Sequence, residues 1–157
     1  MKLRCASVIF LFLLALPAFA RSPKCMFRVH AEANVQDTEV FASSVKAKVG
    51  GQDVAIQKIA SISEADVAAF TAYQDPDGSY GALLMLDEHG RIALDTLSVE
   101  QRGRHLFVFV NGRMVTEFVV DKRVSDGKIY IARGLTAQDL KSMKASWKVV
   151  VPKPAHR

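Results

Sequence analysis

The segment Leu106-Phe107-Val108-Phe109-Val110-Asn111-Gly112-Arg113-Met114-Val115-Thr116-Glu117-Phe118-Val119-Val120 decides the fold. Two runs rich in β-branched and aromatic residues flank a two-residue Asn-Gly step. That step tolerates the positive φ values of a type I′ hairpin turn, so the segment reads as an antiparallel ribbon bent at 111–112. Upstream, Asp75-Pro76-Asp77-Gly78 joins a run at residues 70–73 to a run at residues 80–86, again as strands linked by a tight loop. Downstream, Ser125-Asp126-Gly127 introduces a short strand at residues 128–132. Alternation of apolar and polar residues adds strands near 26–33, 40–49 and 54–59, with Gly50-Gly51 turning the second into the third.

Helix signals are interleaved with these strands. Ser63-Glu64-Ala65-Asp66 has the order of a capped helix start, with Ile62 and Val67 in the positions of a hydrophobic staple. The same device recurs at Leu135-Thr136-Ala137-Gln138-Asp139-Leu140, followed by Leu140, Met143 and Trp147 at helical spacing as a buried stripe. Residues 90–100 carry Ile92, Ala93, Leu94 and Leu97, a third amphipathic helix ending before Gly103. The expected class is α+β: a mostly antiparallel sheet with a central hairpin and two to three short helices.

The front of the chain has the three parts of a secretory signal peptide. Lys2 and Arg4 precede an apolar run at residues 8–16, and Ala18-Phe19-Ala20 supplies small residues for cleavage between Ala20 and Arg21. The run is shorter than the roughly 20 apolar residues that cross a bilayer, and no later segment reaches that length. The organisation expected is a signal peptide at 1–20, a loose segment at 21–25, one domain at 26–150 and a flexible tail at 151–157. The product is exported, to the periplasm or outside the cell. Removal of Lys2 and Arg4 lowers the formal charge from +5 to +3, too mild to argue for nucleic acid. Cys5 leaves with the leader, so Cys25 has no internal partner, and cysteine-based zinc or redox motifs are excluded.

The residues that carry chemistry do not assemble into a motif. His30, His89, His105 and His156 show no metal-binding spacing. Asp75 and Asp77 open what resembles a calcium loop, but Tyr80 stands where the turn needs glycine and Leu86 where a glutamate belongs. Ser79 and Ser98 lack the frame of a nucleophile elbow, and Gly50-Gly51 lacks a phosphate-loop frame. No catalytic, metal or cofactor residue is assigned. The expectation is a non-enzymatic binding module. The alternatives are a small hydrolase using Asp87 or Glu100, and a protein that self-associates through an edge strand or Cys25.

From Gly81 onward the order of elements is more specific. Gly81-Ala82-Leu83-Leu84-Met85-Leu86-Asp87-Glu88-His89-Gly90 leads to Asp95-Thr96-Leu97-Ser98, Gly103, the ribbon around Asn111-Gly112, then Asp126-Gly127-Lys128-Ile129-Tyr130-Ile131 and Gly134-Leu135-Thr136-Ala137-Gln138-Asp139. Over residues 81–146 this resembles the head subdomain of the first periplasmic domain of the SecD/SecDF protein-export family, and small exported proteins that carry such a head alone. The chain departs from the family hairpin, which carries aspartate where Asn111 stands and a proline where Glu117 and Phe118 lie. The resemblance implies contact with extended or unfolded polypeptide, or with an envelope partner. The ribbon residues Phe107, Phe109, Asn111, Gly112 and Arg113 are its candidate contacts.

Overall fold

The computed structural model describes residues 24–34, 36, 41–46, 51 and 53–151. The expected leader, its cleavage point at Ala20 and Arg21, and residues 152–157 of the expected tail lie outside them. Among the described residues, ten strands and two helices follow in the order β1 (Phe27–Ala31), β2 (Ala42–Lys46), β3 (Asp53–Gln57), β4 (Ile62–Ser63), β5 (Val67–Gln74), β6 (Tyr80–Leu86), α1 (Glu88–Glu100), β7 (His105–Val110), β8 (Arg113–Val119), β9 (Lys128–Leu135), α2 (Ala137–Ser146) and β10 (Lys148–Val149). The class is α+β, with antiparallel pairing everywhere except the parallel contact of β10 with β5.

Two four-stranded sheets, ordered β4-β1-β7-β8 and β10-β5-β6-β9, accompany a two-stranded β2–β3 ribbon. Period-two alternation sends Phe27, Val29 and Ala31 of β1 and Leu106, Val108 and Val110 of β7 into the same core as Ala82 and Leu84 of β6 and Ile129 and Ile131 of β9. The helices add Leu94 and Leu97 from α1, and Leu140 and Met143 from α2. Trp147 completes the expected stripe from just beyond α2, its ring edge-on to both Phe27 and Phe70. Cys25, expected in a loose segment, is buried in this core, and its amide donates to Ser146 Oγ at 2.8 Å.

The type I′ turn forms as read: Asn111 has φ 51° and Gly112 φ 78°. The two later helices form too, α1 beginning two residues before the expected 90. Asp87 caps α1 by accepting from Gly90 N, and Thr136 and Asp139 form the capping box of α2. The box at Ser63 and Asp66 also forms, but it opens only a single 3-10 turn at residues 64–66, and the expected helix there is a strand. The reason lies in the following residues: from Val67 the chain is rich in residues that favour an extended, half-buried surface, and β5 pairs with β6 over most of its length. A cap satisfies only the first amides, and the register with β6 decides what comes after it.

Candidate functional site

Phe107 and Phe109 point away from the main core, onto the opposite face of their sheet. Phe107 is fully buried there against Ile56 of the β2–β3 ribbon, with Val45, Val54, Phe109 and Met114 half-buried around it. The ribbon is attached through Ala33 N to Ala55 O at 2.8 Å and through a 2.7 Å contact between His30 Nδ1 and Gln57 O. Two of the five ribbon candidates are therefore packing residues beneath β2–β3.

Asn111, Gly112 and Arg113 form the tip. Asn111 Nδ2 donates to Asp139 Oδ1 at 2.8 Å and lies 3.2 Å from Ser142 Oγ, while its Oδ1 accepts from Met26 N at 3.1 Å. Arg113 donates to Asp139 Oδ2 at 2.7 Å and to Gly134 O at 3.0 Å. Asp139 also accepts from the amide and hydroxyl of Thr136. Burial alone would raise its pKa, but the donors from Thr136 and Asn111 and the Arg113 charge outweigh it and hold the carboxyl below its usual range. The tip is thus tied to the start of α2, with Gly112 and Arg113 exposed.

Beside the tip lies a feature that no local pattern announces. β8 and β9 are outer strands of different sheets and share no ladder. They run in opposite directions, close together at one end, where Gly134 adjoins Val115 and accepts from Arg113. Thr116 of β8 and Ala132 of β9 line two cavities between these strands. One, of about 280 Å³, is walled by Leu94, Phe118, Val124 and Ile129, and the other, of about 410 Å³, is bordered by Asp77, Glu117 and Arg133. The first is apolar because both sheets turn core residues toward it. It lies just below the roughly 300–1,000 Å³ typical of small-molecule sites, which suits an anchoring side chain better than a whole ligand.

A second constellation joins residues that sequence spacing kept apart. Asp66, Asp87 and His89 bring ligand-type atoms within 4.8 Å of one another. His89 Nδ1 stands 2.7 Å from Asp66 Oδ1, and Ser63 donates to Asp66 Oδ2 through both its amide and its hydroxyl. The Asp66 contact raises the His89 pKa. Burial pushes Asp66 up, while Ser63 and His89 pull it further down, for a net lowering. The wiring is not that of a hydrolytic triad, because Ser63 and His89 both bond the carboxylate instead of each other. A cation there would displace the Ser63, His89 and Gly90 donors at the positive end of α1. The cluster closes the corner between the 3-10 turn and α1, with the His89 side chain 82% exposed. Glu100, the other acid of the hydrolase alternative, is exposed at the last turn of α1.

No protein-family model matches the chain, and no curated protein matches it by sequence. Solved structures do match. A structure described as a membrane component SecDF that enhances protein export is 16% identical with a TM-score of 0.54, over 82% of this chain and 66% of that one. The fold is SecDF-like. SecDF in a super-membrane-facing form is 15% identical with a TM-score of 0.51, over 78% of this chain and 18% of that one. The chain therefore spans just under two thirds of the first SecDF chain and under a fifth of the second. The SecDF-like region extends well beyond residues 81–146, since 82% of the chain takes part. Among the described residues, no helix is long and apolar enough to cross a membrane.

Proposed function

We propose that this protein is an export-associated module, acting in the periplasm or outside the cell, that contacts extended polypeptide. The carrying observation is the apolar cleft between two outer strands, β8 and β9, of a SecDF-like fold. A strand edge offers main-chain donors and acceptors that any extended chain can match, and an adjoining apolar cavity selects a large side chain over a small one. Gly112 and Arg113 are exposed near the closed end and belong to the proposed contact. Asn111 serves it by holding the turn, and Phe107 and Phe109 by packing β7 against Ile56.

The test is a fluorescence-anisotropy titration of unstructured, apolar-rich peptides against the folded protein. Binding in the micromolar range or weaker is expected, because a contact of this size buries little area. Ala132→Trp, which fills the cleft from an exposed position, should weaken binding at least about tenfold without lowering the melting temperature. Absence of binding across a varied panel removes the reading, and binding indifferent to Ala132→Trp removes the cleft as its location.

A further inference from the structure

The loop between β8 and β9 reads Val120-Asp121-Lys122-Arg123-Val124-Ser125-Asp126-Gly127. Both ends are fixed to the backbone of the fold: Val120 exchanges hydrogen bonds with Gly103 and Arg104, and Gly127 O accepts from Leu86 N at 2.8 Å. Between them, residues 121–126 carry one apolar side chain, Val124, and it lines the apolar cavity beside Leu94, Phe118 and Ile129. The middle of the loop is held by side-chain contacts from a single face of α1. Arg91 Nη1 donates to Ser125 O at 3.4 Å, Asp95 accepts from both Nε and Nη2 of Arg123 at 2.5 and 2.7 Å, and Ser98 Oγ accepts from Val124 N at 2.9 Å. Positions 91, 95 and 98 stand at i, i+4 and i+7, so one stripe of the helix holds the whole span.

We propose that residues 121–126 form a latch over the β8–β9 cleft, with Val124 as its plug and the Arg123–Asp95 pair as its catch. The purpose of the latch rests on the polypeptide-contact reading, whereas its existence does not. The ends are anchored by main-chain bonds near the core, whereas the middle is held by one ion pair, with Arg123 67% exposed, by two further contacts and by the packing of Val124. Such a pair adds a small, salt-screened stabilisation. The loop therefore opens at far lower free energy than the sheets flanking it, in the manner of a local unfolding unit. Opening lifts Val124 from the cavity and uncovers Leu94, Phe118 and Ile129. A lysine at 122 and acids at 121 and 126 keep the rest of the span in water in either position.

The test uses the folded protein alone, without peptide. Amide exchange read by NMR follows Val124, whose N–H is bonded to Ser98, against Val108 and Ile131 of the core. Arg123→Gln and Asp95→Asn should each accelerate Val124 exchange about threefold, and the double variant should add nothing further, as one shared interaction requires. Raising salt to about 1 M should reproduce the effect in the wild type and leave the variants unmoved. Nile red emission, reporting exposed apolar surface, should rise in the same variants. The latch is overturned by unchanged Val124 exchange, by acceleration shared equally with Val108 and Ile131, or by faster exchange without a change in Nile red emission. A failed peptide titration would leave each of these readings intact, so the two proposals fall separately.

Discussion

Asn111 and Asp139, 28 residues apart, are joined by a 2.8 Å hydrogen bond that couples the bend of the β7–β8 ribbon to the first turn of α2. The bond also rationalises the asparagine. A positive φ suits Asn, Asp or Gly, but Asp139 already presents a carboxylate, and a second one at 111 would face it. An amide instead offers donors to Asp139 and an acceptor to Met26 N.

Substitution at 111 separates backbone from network. Asn111→Gly keeps the turn and loses the side-chain bonds, Asn111→Ala loses both, and Asn111→Asp keeps the turn and introduces repulsion. The expected order of melting temperatures is wild type, then Gly, then Ala. The Ala variant should lie about 1–3 kcal/mol below wild type from αL strain plus the loss of part-buried and exposed bonds. Asn111→Asp should be destabilised near neutral pH and recover part of the loss as acid protonates the facing carboxyls. A pH-independent deficit would contradict the electrostatic account.

Removal of the Asp139 carboxylate leaves Thr136, Asn111 and Arg113 without their common acceptor. Asp139→Ala should lose about 2–3 kcal/mol in urea unfolding at neutral pH. The pKa of this carboxyl is lowered on folding, so the stability it contributes is present above its unfolded value of about 3.9 and is lost as pH falls through the folded value. The acid limb of the stability profile should therefore be shallower in Asp139→Ala than in the wild type, and parallel limbs would refute that linkage.

His89 gives the opposite sign. Its pKa is raised by Asp66, so the stability it contributes is complete below its unfolded value of about 6.5 and disappears as pH rises through the folded value. Thermal melts between pH 5 and 8 should show a decline on the alkaline side in the wild type that His89→Gln lacks. Equal slopes would mean that the exposed ring contributes nothing through its charge.

Gly90 tests whether packing or propensity governs the start of α1. A helical glycine normally invites alanine, worth up to about 1 kcal/mol. Here the added Cβ would stand 2.8 Å from Asp66 Cβ, 2.9 Å from Asp66 O and 3.0 Å from Leu86 Cβ. Two of these neighbours sit in a capped turn and cannot withdraw cheaply, so overpacking of about 1–3 kcal/mol wins. Gly90→Ala should lower the melting temperature, and a rise would show that the corner yields.

Features written in adjacent residues were legible before any coordinates: the Asn111-Gly112 bend, the Thr136–Asp139 cap, the loop after Asp75 and the α+β class. The Ser63–Asp66 box shows the boundary of that legibility. Its chemistry was read correctly and its consequence was not, because the strand that replaces the expected helix is imposed by pairing with residues 80–86. The His89–Asp66 contact was missed for a related reason. Spacing between histidines carries no trace of it, because the partner is an aspartate on a separate turn 23 residues upstream. The cleft was invisible altogether, since two strands that pair in different sheets and not with each other leave no period in the sequence. Among the ribbon candidates, Phe107 is buried by the β2–β3 cover, which a reading of the ribbon by itself cannot include.

The placement of α2 also sets a timetable. Cys25 N reaches Ser146 across 121 residues, Met26 meets Asn111, and β10 closes against β5. The first strand, the central bend and the last helix are consequently completed by one another, and such distant closures come late in folding. A chain emerging from its N-terminal end would therefore leave its first strand and its central bend without their partners until residues 137–149 had appeared.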